Sequence, residues 1–138
     1  MALDEGLKPI LCVGELNNKP GSGIDEQMIQ QLRSAIHNLT KTQAKKTIFA
    51  YEPLWAIGTG KAASGRYVAT VIAKLRAELE KNFDLETAND AIFLYGGSVT
   101  SENINDYLKY DSIDGALVGG ASLIGKDFIK ICKEAAEV

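Results

Sequence analysis

Glu52 follows the apolar run Thr47-Ile48-Phe49-Ala50-Tyr51 and precedes Pro53. A carboxylate in that position is either a solvated strand end or a general base, and partial burial would favour its taking up a proton. The loop that follows, Pro53 to Ala63, has an apolar tip with Trp55 and Ile57, then Gly58 and Gly60, then Lys61. Such a loop either packs on a helix layer or closes over a substrate and excludes water. Two more strand ends are rich in glycine, Gly96-Gly97-Ser98 and Gly119-Gly120. They are either tight turns or places where backbone N–H groups approach an anion, aided by the partial positive charge of a helix N-terminus. With no basic cluster nearby, the two pairs suggest a phosphate held by backbone amides.

Other motifs carry less. Gly120-Ala121-Ser122-Leu123-Ile124-Gly125-Lys126 fits the glycine and lysine spacing of a nucleotide P-loop. However, Asp127 stands where Ser or Thr should hold magnesium, and it would repel phosphates. Gly58-Thr59-Gly60-Lys61-Ala62-Ala63 fits a loose dinucleotide fingerprint, yet Pro53 to Ile57 separate it from its strand. A dinucleotide-binding module rests on that loop alone. His37, the single histidine, sits in a helical stretch away from any strand end and reads as a surface or boundary residue. Cys12 reads as a buried packing residue, because free cysteine behaves as a small hydrophobe. Nothing has metal-ligand spacing.

Four continuous apolar runs position these groups: Ile10–Val13, Thr47–Tyr51, Ala91–Tyr95 and Gly115–Val118. Continuous rather than alternating runs suit strands of a parallel sheet buried on both faces. Between them lie helical stripes. Ile29, Leu32, Ile36 and Leu39 form one; Val68, Val71, Ile72, Leu75 and Leu79 form another, with Ser64 as its cap. Ile104 and Leu108 mark a short helix opened by Thr100 or Ser101, and Phe128, Ile131, Cys132 and Ala135 mark one capped by Asp127. Ala2 to Leu7 read as the tail of a helix, and Asn17 to Gly23 as a polar turn-rich loop. The βα alternation predicts parallel strands with right-handed crossovers, in an open doubly wound sheet or a closed barrel. Both place sites at the C-terminal ends of strands, where Glu52 and the glycines lie.

Composition narrows the class. The 138 residues carry 15 Lys and Arg against 18 Asp and Glu, a net charge of −3, which argues against a nucleic-acid binder. A hydrophobic content of 46% suits a packed globular chain rather than a disordered one. No apolar run reaches the roughly 18 residues that span a bilayer, and no membrane partner or cleavable signal is expected. Two cysteines are too few for a disulfide framework, so a reducing cytoplasmic setting is expected.

Together the strand ends resemble one family. Ala50-Tyr51-Glu52-Pro53-Leu54-Trp55-Ala56-Ile57-Gly58-Thr59-Gly60-Lys61 resembles the catalytic strand and lid of the triosephosphate isomerases. Tyr95-Gly96-Gly97-Ser98-Val99 and Asp114 to Leu123 resemble the family's two phosphate-gripping segments, and Cys12-Val13-Gly14-Glu15 resembles its fifth strand end. The resemblance implies an α/β fold, a (β/α)4 half of a (β/α)8 barrel, with residues 1–138 as the C-terminal half. It implies Glu52 as the base that interconverts dihydroxyacetone phosphate and glyceraldehyde 3-phosphate. It implies Gly58, Ser98, Gly119 and Gly120 as phosphate ligands, and Ile57 and Leu117 as a clamp on Glu52. Pro53 to Trp55 and Lys61 to Ala63 become lid hinges, with Glu15 and Tyr51 meeting Trp55. No metal or organic cofactor is implied. The implied partners are a triose phosphate, the N-terminal half of the barrel, and a second copy in a homodimer.

Three departures accompany the resemblance. Lys61-Ala62-Ala63 stands where the family's hinge is usually Lys-Thr-Ala, and Asn17-Asn18-Lys19-Pro20 stands where charged residues are frequent. The family's lysine and histidine that polarise the substrate carbonyl belong to the half of the barrel that this chain does not match, so the chain alone is expected to be essentially inactive. The alternative expectation is a non-catalytic half-barrel that self-associates to cover its apolar interior.

Overall fold

Strand order decides between the two βα architectures. The computed structural model describes residues 2–16 and 26–138. Along the chain come β1 (Ile10–Val13), α1 (Glu26–Ile36), α2 (Lys41–Lys45), β2 (Ile48–Tyr51), α3 (Gly65–Asn82) and α4 (Leu85–Asp90). β3 (Ile92–Tyr95), α5 (Ile104–Leu108), β4 (Gly115–Ala116), a 3-10 turn (Gly120–Leu123) and α6 (Gly125–Ala135) follow. The strands form one parallel sheet in the order β1-β2-β3-β4. A doubly wound sheet reverses its strand order at a switch point; this one never does. Right-handed crossovers that always step the same way put the helices on one face. The result is four βα units of a barrel-type sheet.

That single-sided layering divides the strand residues. Leu11, Phe49 and Phe93 are in register, as are Val13, Tyr51 and Tyr95. This set packs under the helices: Phe49 stacks on Phe93 at 5.2 Å, and the Arg76 guanidinium lies 4.9 Å from the Phe93 ring centre. Over them α3 buries Val68, Val71, Ile72, Leu75 and Leu79, and α1 buries Met28, Ile29, Leu32 and Ile36. Each such side chain contributes about 1.5–3 kcal/mol by leaving water. Ser64 caps α3, its hydroxyl accepting the Tyr67 N–H at 3.3 Å.

The alternate residues behave differently from expectation. Ile10 and Ile92 are 43% and 46% exposed, and Cys12 is exposed. The strands are therefore not buried on both faces, and Cys12 is not a core residue. Strand alternation places all three on the face that carries no helices.

Several boundaries also move. β4 ends at Ala116 rather than Val118, although the Leu117 N–H still donates to Tyr95 O at 2.9 Å. Asn103, not Thr100 or Ser101, precedes α5, and α6 begins after Ile124 with no side-chain cap, leaving Asp127 inside its first turn. The 3-10 turn runs directly into α6, so Ile124 O takes the Asp127 and Phe128 N–H groups that a cap would otherwise compete for. His37 lies just beyond α1 and is exposed. Residues 2–6 form a turn rather than a helix. It closes as helix ends do, with Gly6 at φ +74° and Leu7 N–H donating to Ala2 O. The Asn17–Gly23 loop lies outside the described residues.

One ion pair ties α1 to α3. Arg33 donates through Nε to Glu78 Oε1 at 2.7 Å and through Nη2 to Oε2 at 3.1 Å, and Glu78 is buried. The Arg33 hydrogen bond holds the Glu78 carboxyl below the usual carboxylate range. A lowered carboxyl stabilises the fold above its unfolded value and loses that contribution as pH falls through the folded value. Because Arg33 is two-fifths exposed, solvent screening keeps that contribution small at neutral pH. Thermal melts from about pH 5 to about pH 3 should therefore show a smaller loss for Glu78→Gln than for the unaltered chain. Equal losses would remove Glu78 from the acid limb.

Candidate active site

Glu52 is delivered by the β2 ladder. Its N–H donates to Val13 O at 2.8 Å, and it lies two residues beyond Ala50, so its side chain leaves on the helix-free face shared with Cys12. There the carboxylate lies across Gly96 at the end of β3. A Cβ on Gly96 would stand 2.5 Å from Glu52 Cγ and 2.8 Å from its Oε1. On the other side, Gly14 leaves room for the Glu52 backbone, and a Cβ there would collide with the Glu52 carbonyl. Partial desolvation, then the nearby Glu52 carboxylate, push the Cys12 thiol above its ordinary value.

The loop after Glu52 is braced at both ends. Trp55 Nε1 donates to Glu15 Oε1 at 2.9 Å, and Tyr51 Oη donates to the same oxygen at 2.7 Å. Glu15 is 4% exposed. Burial, then the Glu15 hydrogen bond and charge, raise the Tyr51 phenol far above its usual range, so it stays a donor. At the other end the Ala63 N–H donates to Tyr95 Oη at 3.2 Å, while Ala63 O accepts from Tyr107 Oη at 3.0 Å. Between the braces, Gly58 and Gly60 take φ of +66° and +71°, a region that favours glycine. Thr59 Oγ1 donates to Trp55 O at 3.0 Å and accepts the Lys61 N–H at 3.2 Å. Pro53 is buried at the root of the loop, and Lys61 is exposed.

Glu52, Ile57, Gly58, Gly97, Ser98, Leu117, Gly119 and Gly120 line one cavity of about 550 Å³. Pro53, Trp55 and Lys61 frame the loop without lining the cavity. No Lys, Arg or His is among its described lining residues. Gly119 and Gly120 have open space where a Cβ would sit, at the start of the 3-10 turn. The first amides of such a turn have no partner within it. Asn103 shapes the other segment: its Nδ2 donates to Ser98 O at 3.0 Å and its Oδ1 accepts the Thr100 N–H at 2.7 Å. The site thus combines one carboxylate, two amide-rich segments and an apolar loop tip. That set can move a proton on an anionic substrate.

The sequence profile described as triosephosphate isomerase matches residues 1–135. The chain belongs to the triosephosphate isomerase family. A triosephosphate isomerase of Herpetosiphon aurantiacus is 45% identical over 133 residues, covering 96% of this chain and 53% of the relative. One from Hydrogenovibrio crunogenus is 46% identical over 137 residues, covering 99% and 54%. One from Saccharopolyspora erythraea is 44% identical over 135 residues, covering 97% and 52%. The chain spans about half the length of the curated triosephosphate isomerases it matches.

Two residues, Asn103 and Tyr107, escaped the sequence reading, and two it named, Cys12 and Gly96, were not placed beside Glu52. Cys12 and Gly96 flank the Glu52 carboxylate, Asn103 braces the Ser98 segment, and Tyr107 reaches the loop. Glu52, Ala50 and Cys12 share a face by simple alternation and register, a signal that would have found the first. The Gly58 loop is an arch over a cavity, and the unreversed sheet offers none of the switch points where dinucleotides bind.

Proposed function

We propose that this chain supplies the proton-transfer and phosphate-binding part of a triosephosphate isomerase site, interconverting dihydroxyacetone phosphate and glyceraldehyde 3-phosphate. The observation that carries this reading is the cavity that brings Glu52 together with Gly58, Ser98, Gly119 and Gly120. Glu52 takes a proton from the carbon beside the carbonyl, leaving an enediolate, and returns it to the neighbouring carbon, while a second proton passes from the hydroxyl oxygen to the former carbonyl oxygen. Substrate and product are isomers, so no oxidant or reductant enters. The amides of Gly58, Ser98, Gly119 and Gly120 hold the phosphate. When the lid closes on its two hinges, Pro53 to Trp55 and Lys61 to Ala63, Ile57 and Leu117 press on Glu52 and exclude water.

The electrophile is the missing part. An oxyanion developing at the substrate carbonyl needs donors, and losing one such donor costs about 10²–10³ in rate. With no cationic side chain among the described lining residues, the 138-residue chain alone should be essentially inactive. The complete protein is a cytoplasmic homodimer in this reading. The unpaired cysteines agree with a reducing setting, and no helix among the described residues is long and apolar enough to cross a membrane. A non-catalytic, self-associating half-barrel is the less favoured reading. It accounts for exposed Ile10 and Ile92 but leaves the Glu52 cavity without a use.

A coupled isomerase assay on the purified chain, with and without a separately supplied N-terminal half of a barrel, tests the proposal. Activity should be negligible alone and appear on mixing. Full turnover by the chain alone would refute the missing-electrophile argument.

A further inference from the structure

Tyr107 is 1% exposed on α5, its ring 4.3 Å from that of Tyr95. Packing alone does not require a tyrosine there, since phenylalanine or leucine would supply the apolar bulk; a buried hydroxyl must find a partner. Here the partner is the lid. Tyr107 Oη donates to the carbonyl of Ala63, whose N–H is held by Tyr95 Oη, so one residue is gripped on both of its polar groups. Burial raises both phenols, so the clamp does not titrate under ordinary conditions.

Ala63 stands at a boundary in stiffness. The next residue, Ser64, caps the 18-residue helix α3, while Gly58 and Gly60 on the other side are left-handed, with Thr59 between them bonded to Trp55 and Lys61 of the same loop. The clamp is also joined to the anion segment. A Cβ on Gly97 would collide with Tyr95 Oη, and Gly97 lines the Glu52 cavity.

We propose that Tyr107 is a positioning residue for the lid: by holding the Ala63 carbonyl it makes Ala63 the fixed pivot about which the Gly58–Lys61 segment moves. The lid's purpose rests on the isomerase reading above; the pivot itself does not.

The test is backbone amide exchange on the 138-residue chain and its Tyr107→Phe variant, which keeps the stacked ring and loses only the hydroxyl. Exchange at Ala63 should rise roughly two- to tenfold, as expected when the partner hydrogen bond on the same residue is lost. Amides of Val71 and Leu75 in α3 should be unchanged. No change at Ala63, or an equal rise in α3, would overturn the proposal, the latter by showing general loosening. Tyr107→Leu gives a second comparison and should raise lid exchange at least as much. The readout needs no substrate. Failure of the isomerase assay with a local rise in exchange would therefore reject the function and keep the pivot, and the reverse would do the opposite.

Discussion

Glu52→Gln, in the chain assembled with the other half of a barrel, is expected to lower kcat by about 10²–10⁴ with little change in KM. That range is what a positioned general base contributes. Glutamine is nearly isosteric, so it still fits over Gly96, and the amides of Gly58, Ser98, Gly119 and Gly120 are untouched. Loss confined to kcat would mean that an interaction specific to the transition state has gone. Steady-state kinetics over a range of triose phosphate concentrations distinguishes the cases. A rise in KM at unchanged kcat would make Glu52 a binding residue instead. Unaltered kinetics would remove it from the mechanism.

The second large effect is expected from a residue with no side chain. Gly96→Ala puts a methyl 2.5 Å from Glu52 Cγ, a separation that packed atoms do not tolerate. Gly96 itself is held by the ladder, its N–H donating to Tyr51 O at 2.9 Å, so the glutamate must move rather than the strand. A misplacement of about 1 Å in a reacting group can cost about 10² in rate. Gly96→Ala should therefore lose about 10²-fold in kcat while phosphate binding, read with inorganic phosphate as competitor, stays near its original strength. Equal loss of both would show that the substitution deforms the Gly97–Ser98 segment as well.

What the sequence made legible depended on range. Four apolar runs announced four strands, and the periodic stripes of α1 and α3 announced the helices that cover them. Ser64 was readable as a cap because its bond to the Tyr67 N–H is local. The five-residue α2 and six-residue α4 are too short for a period to register. On α5 the expected stripe of Ile104 and Leu108 is instead Ile104 and Tyr107, because a three-residue step turns the tyrosine to the core. The cavity's lining was visible as residue types after strands. Its supports were not, because they join distant positions: Tyr107 meets Ala63 across 44 residues, and Cys12 meets Glu52 across strands. The exposed face was illegible for another reason. An apolar run has the same composition whether or not something covers its second side.

Trp55 is the chain's one tryptophan, and its indole N–H rests on the buried Glu15 carboxylate at the root of the loop that follows Glu52. Tryptophan emission from the whole chain is consequently emission from one spot. Exchanging that carboxylate for water around the ring would shift its wavelength, so any movement of the 53–63 loop can be followed by ultraviolet light in unlabelled protein. Stopped-flow mixing with triose phosphate would then time such a movement.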